Sequence, residues 1–259
     1  MTRFFLGIDV GSASSKCAIV DHNAEIIEAI AIQHGTGTTG PERARAKVLE
    51  AARISIEDIS CIVATGYGRY AEQCADLQKS EISCHAKGAH YLLPTVRTIL
   101  DIGGQDVKAI SIDQEGRVLD FFMNDKCAAG TGRFLEVMAR VMETPLEDLG
   151  GLDLNSLHPE KVSSTCTVFA ESEVISLLSK GAKKEDIVRG VHESIVSRSL
   201  GLLYRTNLEG DITLTGGVAQ NSGVVRALER ALKRKVLLCE KPQLVGAIGA
   251  ALFALEQGG

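Results

Sequence analysis

An internal repeat constrains the fold of this chain more than any other feature. A short apolar strand ending at Asp9 leads into a glycine turn, and the same pattern returns at Asp101. The two segments align without a gap at an offset of 92 residues, measured from Gly11 to Gly103. Polar residues coincide in that register, in the pairs Asp9 and Asp101, Lys16 and Lys108, and Asp21 and Asp113. Two copies of a strand, glycine turn, strand and strand unit predict two similar lobes that face each other.

Apolar periodicity and turn residues predict an α/β architecture in both halves. Strands are predicted near 3–10, 16–21, 25–32, 61–65, 98–102, 107–113, 117–123 and 211–215. Helices are predicted near 41–53, 81–93, 131–142, 167–180, 184–206, 221–234 and 244–256, and a capping box at Thr144 predicts a further short helix. Residues 1–96 are assigned to an N-terminal lobe and 97–243 to a C-terminal lobe. The C-terminal helix, 244–257, is expected to pack back on the N-terminal lobe.

Composition excludes some classes of function. The chain has 259 residues with a net charge of -5, no tryptophan and few aromatic residues, which argues against nucleic-acid binding. Its apolar runs are too short for a signal peptide or for the roughly 18 residues of a membrane span. We therefore expect a cytoplasmic protein with no membrane or nucleic-acid partner. The seven cysteines are an odd number without a CxxC pair, and disulfides are not expected in that compartment.

The glycine turns predict a phosphate site. Glycines let backbone N–H groups turn inward, and serine hydroxyls and a lysine add further donors for a phosphate. Asp9 and Asp101 stand at strand ends, where they could hold Mg²⁺ through water, and Gln105 could orient an attacking water. These three are the candidate catalytic residues. The candidate nucleotide-binding residues are Gly11, Ser12, Ala13, Ser14, Ser15, Lys16, Gly103, Gly104, Gly216, Gly217, Gln220 and Gln243.

Each motif also has a plainer interpretation. Either Asp-x-Gly segment alone could be an ordinary hairpin turn, but two in register and a third glycine motif at Thr215–Val218 favour a nucleotide site. Gly35–Gly40 matches the GxGxxG dinucleotide pattern. A β-meander precedes it, whereas a dinucleotide fold has one strand running straight into the loop, so we expect a structural loop.

Seven strings together give the chain a specific signature. They are Gly7–Ser12, Ala64–Arg69, Glu81–His85, Asp101–Asp106, Asn124–Phe134, Ser164–Glu173 and Thr215–Asn221. Over essentially its whole length the chain resembles the activators of (R)-2-hydroxyacyl-CoA dehydratases, of the BadF/BadG/BcrA/BcrD ATPase family. The glycine motifs are similar to those of the wider actin, sugar-kinase and chaperone ATPase superfamily.

The resemblance implies a duplicated actin-like, ribonuclease-H-like ATPase fold with the nucleotide in the cleft between two lobes. It implies ATP or ADP with Mg²⁺, and a homodimer bridged by one [4Fe-4S] cluster, to which each chain gives Cys127 and Cys166. ATP hydrolysis would drive one low-potential electron from the cluster to a partner dehydratase. Reduced ferredoxin or flavodoxin would reload the cluster.

The residues alone leave the cysteines open. Cys127 and Cys166 precede predicted helices, where the helix dipole stabilises an anionic sulfur. Without the resemblance, each is more simply a buried or reactive cysteine, since two cysteines complete a four-cysteine set only when two chains meet. Cys84 and His85 could bind metal, but adjacent side chains on a helix point apart, and packing is favoured.

Three alternatives remain. One is the ATPase subunit of a benzoyl-CoA-type reductase, which would copurify with different partner subunits. Another is a small-molecule kinase of the same fold, although no insertion is long enough to build its substrate pocket. The third is a filament-forming or regulatory ATPase, which needs no cluster and would be colourless.

Overall fold

Two β-sheets and the helices around them form the described part of the chain, residues 3–125, 127–163 and 166–259 of a computed structural model. The strands are β1 (Phe4–Val10), β2 (Ser15–Asp21), β3 (Ile26–Ile32), β4 (Ile59–Thr65), β5 (Leu77–Gln78), β6 (Val96–Ile102), β7 (Val107–Ile112), β8 (Val118–Asn124) and β9 (Asp211–Thr215). The helices are α1 (Gly40–Ala52), α2 (Glu81–Leu92), α3 (Gly132–Val141), α4 (Leu149–Leu152), α5 (Thr167–Ser179), α6 (Lys184–Leu203), α7 (Ser222–Leu232) and α8 (Val245–Gly258).

The two sheets share one topology. The first has the order β3-β2-β1-β4-β5 and the second the order β8-β7-β6-β9. In both, the first strand pairs antiparallel with the second and parallel with the strand that follows the meander. Asp9 lies opposite Lys16 in the first sheet, and Asp101 lies opposite Lys108 in the second. The predicted duplication is therefore confirmed at the level of strand register.

The hairpin aspartates repeat as well. Asp21 Oδ1 accepts the N–H groups of the residues two and four positions further on, at 2.8 and 2.9 Å. Asp113 Oδ1 accepts the equivalent pair at 2.9 and 2.8 Å. An aspartate that satisfies two turn N–H groups fixes the hairpin, which explains why the same residue stands at both positions.

Helices α2 and α8 lie between the sheets. Helix α8 packs its alanine-rich side on the first sheet, where Gly7 allows the strand to approach the Ala247 carbonyl. Helix α2 packs Ala86 and Ala89 against the second sheet and contacts α8. The lobe boundary after residue 96 stays a prediction, and α2 packs across it.

Local differences from the sequence predictions have simple causes. Strand β5 has only two residues, too few to show an alternating pattern. The capping box at Thr144 is wrong, because Pro145 is the cap of a 3-10 turn and the Thr144 hydroxyl donates to the Met142 carbonyl at 3.0 Å. The predicted helix 184–206 ends in a 3-10 turn, Tyr204–Thr206. Among the helices described, none has the length and hydrophobicity needed to cross a membrane.

Candidate nucleotide site

A cleft of about 980 Å³ opens between the two sheets. Both glycine turns and the third glycine motif contribute to it, as the repeat predicts. The predicted site residues that line it are Asp9, Gly11, Ser12, Ala13, Ser14, Lys16, Asp101, Gly103, Gly104, Gln105, Gly216, Gly217, Gln220 and Gln243.

The two glycine turns approach each other across the cleft. Gly11 N–H donates to the Ser14 carbonyl and Gly103 N–H donates to the Asp106 carbonyl, both at 3.0 Å, so the turns close in the same way. A Cβ added at Gly104 would lie 2.8 Å from the Ala13 Cβ. A side chain there would collide with Ala13, so glycine is required by the close approach of the two turns.

The loop Gly35–Gly40 packs against the back of the first turn. Thr36 N–H donates to the Gly11 carbonyl at 2.9 Å, so the loop supports the turn. Ser15 was predicted to bind nucleotide, but it is fully buried and its hydroxyl donates to the His34 carbonyl at 2.7 Å. Ser15 therefore fixes this loop to the sheet and does not face the cleft.

Lys16 and Lys108 are equivalent in the repeat but differ in surroundings. Lys16 Nζ lies 3.1 Å from Asp9 Oδ2 and lines the cleft, so it can exchange one carboxylate for a phosphate. Lys108 is buried, and its ammonium contacts three carboxylates, at 3.2 Å in Glu81, 3.4 Å in Asp101 and 2.7 Å in Asp106. Lys108 therefore ties α2, β6 and the second glycine turn together.

Burial and charge oppose each other in this cluster. Burial alone would favour the neutral forms, but the three carboxylates outweigh it and raise the pKa of Lys108. Burial likewise would raise the pKa of Asp101, but His85, Lys108 and the Thr215 hydroxyl together lower it. At Glu81 burial dominates, and its pKa is raised despite Lys108. Asp101 is therefore held as a carboxylate at the centre of the cleft.

His85 and Thr215 belong to the site although their individual roles were not predicted. His85 Nδ1 lies 3.4 Å from Asp101 Oδ1 and 3.2 Å from Thr215 Oγ1, which donates to the same carboxylate oxygen at 2.9 Å. Glu81 and His85 lie four residues apart on α2, a spacing that places both on the cleft side. Cys84 points into the packing between helices, and burial raises its pKa to about 12. The adjacent side chains of Cys84 and His85 therefore point apart, as predicted.

The third glycine motif has its own counterpart in the first lobe. Gly66 follows β4 with φ +93°, and Gly216 follows β9 with φ +85°. A Cβ would lie 2.6 Å from Asp9 Oδ1 at the first position and 2.8 Å from Asp101 Oδ1 at the second. The repeat therefore covers both strand ends that surround each aspartate, and glycine is needed at both for the left-handed backbone and the close approach.

Cys127 and Cys166 are exposed, whereas the other five cysteines are buried or half-buried. Burial raises the pKa of each of those five, which are Cys17, Cys61, Cys74, Cys84 and Cys239. Cys166 is the N-cap residue of α5, and Cys127 precedes α3. Lys126, Ser164 and Thr165, which belong to the two cysteine-containing strings, lie outside the described residues. Within the described residues, no three metal-ligating side chains gather in one chain.

Lys108→Met is expected to lower the free energy of unfolding by about 3–5 kcal/mol, because removing one partner leaves buried carboxylates without a counter-charge. Urea denaturation at neutral pH measures this loss. Lys87→Met is the matched control, since Lys87 pairs with the exposed Glu256 and should change stability by less than about 1 kcal/mol. An equal loss of stability in the two variants would contradict the role of Lys108 as the counter-charge of the buried carboxylates.

Within this cluster, Asp101 makes a contribution to stability whose pH dependence has a definite sign. Asp101 has its pKa lowered from the ordinary 3.8, so its ionised form contributes stability above pH 3.8. That contribution is lost as the pH falls through the lower folded-state value.

Comparisons with known proteins agree with this geometry. Residues 6–254 match the model of the BadF/BadG/BcrA/BcrD ATPase family. The activator of lactoyl-CoA dehydratase from Anaerotignum propionicum is 57% identical over 98% of both chains. The (R)-2-hydroxyglutaryl-CoA dehydratase activating ATPase from Acidaminococcus fermentans is 51% identical over 99% of both. The structure of the Clostridium difficile 2-hydroxyisocaproyl-CoA dehydratase activator with bound ADPNP has a TM-score of 0.96 and 48% identity, over 98% of this chain and 95% of that one. The predicted actin-like ATPase fold is confirmed.

Proposed function

Because the chain belongs to the BadF/BadG/BcrA/BcrD ATPase family, we propose that it uses ATP hydrolysis to pass one low-potential electron to a 2-hydroxyacyl-CoA dehydratase. The names that its relatives carry support a dehydratase as the partner. The observation that carries the electron-transfer step is the pair of exposed cysteines, set apart from five buried or half-buried ones. Such a protein works among reduced thiols, so the cytoplasm is the compartment we propose.

The cysteines suit a cluster shared by two chains. A [4Fe-4S] cluster takes four thiolates, and this chain offers two exposed ones, Cys127 and Cys166. Two copies related by a two-fold axis would therefore hold one cluster between them. Val168 and Phe169, next to Cys166, are 64% and 68% exposed, which suits an interface with a second copy. When bound, the cluster would supply the electron, and reduced ferredoxin or flavodoxin would restore it.

Hydrogen bonds connect the residues from Cys127 to Thr131, here called the cysteine segment, to the nucleotide cleft. The first N–H groups of α3, in Gly132 and Arg133, donate to the carbonyls of Gly103 and Gly104 at 2.8 and 2.9 Å. The Thr131 hydroxyl lies 3.0 Å from the Gly104 carbonyl and 2.6 Å from that of Ala128, the neighbour of Cys127. A shift of the second glycine turn on nucleotide exchange would therefore reach the cysteine segment directly.

Thr131→Val is expected to lower dehydratase activation per ATP hydrolysed about tenfold, while iron content and the hydrolysis rate stay near wild type. The substitution keeps the side-chain shape but removes the hydroxyl that joins the turn to the cysteine segment, a bond worth about 1 kcal/mol or more. Parallel assays of phosphate release and dehydratase activity measure the ratio. Thr144→Val is the control, because among the described residues its hydroxyl bonds only to the Met142 carbonyl, within its own turn. An unchanged ratio would contradict this route of coupling.

The cleft residues have separable roles in hydrolysis. Asp9 and Asp101 would hold Mg²⁺ through water, and Lys16 would pass from Asp9 to a phosphate oxygen. Backbone N–H groups of the two turns would bind the phosphates, and Gln105 would orient the attacking water. Gly216, Gly217 and the glutamines beyond them would contact the adenosine; these are Gln220 and Gln243.

Activation of a separately purified dehydratase tests the proposal. Catalytic amounts of the reduced protein with ATP should switch on a lactoyl-CoA or 2-hydroxyglutaryl-CoA dehydratase, and ADP should not. Copurification with ring-reductase subunits, and no dehydratase activation, would favour the benzoyl-CoA-type alternative. Release of ADP without equal inorganic phosphate, when a small-molecule acceptor is added, would identify a kinase.

A further inference from the structure

Arg69 lines the nucleotide cleft at the end of the loop that follows β4. Its guanidinium donates to the Gly66 carbonyl at 3.1 Å and to the Tyr70 hydroxyl at 3.2 Å, and it stacks on the Tyr70 ring at 4.5 Å. All of these partners are neutral. Within residues 3–125, 127–163 and 166–259, no carboxylate pairs with Arg69, so its charge is uncompensated.

The position of Arg69 is set by the first phosphate turn. Gly68 N–H donates to the Val10 carbonyl at 2.8 Å, which fixes the loop to the end of β1. Gly66, whose carbonyl holds the guanidinium, stands against the Asp9 carboxylate. Arg69 lines the same cleft as Asp9 and Lys16, so we expect a rotation of its long side chain to bring its charge to the phosphates.

The floor of the cleft needs such a cation. Apart from Arg69, its lining has two lysines, Lys16 and Lys108, against seven carboxylates, in Asp9, Glu81, Asp101, Asp106, Asp125, Glu136 and Glu147. Lys108 is already shared by three of those carboxylates, and Lys16 is paired with a fourth. A polyphosphate that enters a cleft with an excess of negative charge needs further positive charge to bind. Mg²⁺ supplies only part of it, because its charge is also spent on the carboxylates that hold the ion.

We propose that Arg69 contacts the terminal phosphate of ATP and stabilises the charge that develops as the phosphate is transferred to water. In that step the water oxygen bonds to the γ-phosphorus while the bond to the β–γ bridging oxygen breaks, and ADP, inorganic phosphate and one proton are released. Charge builds on the transferred group and on the leaving oxygen, where an arginine is most effective.

The neutral partners suit this role. A guanidinium that leaves a carbonyl and an aromatic ring loses less interaction free energy than one that leaves a carboxylate. The Gly66 carbonyl and Tyr70 would therefore position Arg69 near the first turn until a phosphate with negative charge arrives. The inference rests on ATP hydrolysis, the activity of the family, and not on the proposed electron transfer.

ATP hydrolysis by the full-length protein tests the role. Arg69→Gln removes the charge at similar length, and we expect it to lower kcat about 10²-fold, in the range found when one such donor is removed. The affinity for ADP, which lacks the terminal phosphate, should change by less than about twofold, since Arg69 would not touch it. Arg69→Lys should retain part of the activity, because it keeps a point charge but loses the planar fork.

Two further variants exclude a merely structural effect. Arg43→Gln, an exposed arginine on α1, should leave kcat unchanged. Arg69→Ala should lose activity in the same way and regain part of it when millimolar guanidinium is added, which a misfolded cleft would not do.

Several results would overturn the proposal. Equal weakening of ATP and ADP binding with kcat unchanged would make Arg69 a ground-state contact. Normal hydrolysis with lost dehydratase activation would make it part of a docking surface. An iron-free wild-type protein would instead refute the electron-transfer function and leave the Arg69 result intact.

Discussion

Replacing Cys127 or Cys166 with alanine should remove the bound iron and abolish activation of the partner dehydratase, while ATP hydrolysis continues. Each substitution removes one of the two thiolates that each chain gives to the shared set, which leaves two of four, and a cluster held by two thiolates does not persist. Neither residue lines the nucleotide cleft, and both are exposed, so phosphate release and folding should be near wild type. Iron content, dehydratase activation and phosphate release measure the three properties on one preparation.

Cys239→Ala is the matched control for the cluster cysteines. Cys239 is half-buried, packs beside the core between the sheets, and has its pKa raised by burial. Its loss should leave iron content and dehydratase activation unchanged. Iron that is retained in the Cys127→Ala protein, or lost equally in the Cys239→Ala protein, would contradict the assignment of the cluster ligands.

Asp101→Asn should lower kcat for ATP hydrolysis by about 10²–10³-fold, as removal of a charge aimed at the reacting group does. Asparagine keeps the size and can still accept the Thr215 hydrogen bond. It loses the charge that pairs with Lys108 and that would hold Mg²⁺. We therefore also expect the Mg²⁺ concentration for half-maximal rate to rise. Phosphate release measured across a magnesium series separates the two effects.

Asp120→Asn controls for the loss of one carboxylate. Asp120 lies on β8 and is exposed, and within the described part of the chain its carboxylate accepts only its neighbour's backbone N–H. It should leave both kcat and the magnesium dependence unchanged. An Asp101→Asn protein with wild-type kcat would remove this carboxylate from the hydrolytic site.

The fold could be predicted from the sequence because the two copies of the repeat share polar residues at equivalent positions. Asp9 and Lys16 recur as Asp101 and Lys108 at a constant offset, and the strand register pairs them in both sheets. Apolar strands resemble one another by chance, but charged residues at strand ends do not. The same reasoning gave the two glycine turns and the third glycine motif, which meet in the cleft.

The contacts within the charged cluster around Asp101 could not be predicted from the sequence. His85 meets Thr215 across 130 residues of sequence, and Thr215 meets Asp101 across 114, so no local pattern joins them. The glutamate and histidine spacing on α2 was the available signal, although it does not say which groups they face. Lys108 aligns with Lys16 in the repeat, but only the packing reveals the three carboxylates around it.

The exposure of the cysteines in the structure separates the two candidate cluster ligands from the others, which their spacing in the sequence does not. The sequence alone does not distinguish Cys127 and Cys166 from the other five, and the resemblance was needed to choose them. In the structure they differ physically, since both residues are exposed and the other five cysteines are buried or half-buried. Ser15 shows the converse, because a serine in the right motif is turned inward to hold the His34 carbonyl.

Iron and acid-labile sulfide per chain, measured beside native mass on protein purified without oxygen, show whether two chains share a cluster. A shared [4Fe-4S] cluster requires a brown dimer, twice the 27.6 kDa of one chain, with about two irons per chain. A colourless protein that hydrolyses ATP normally, both as purified and after cluster reconstitution, would contradict it.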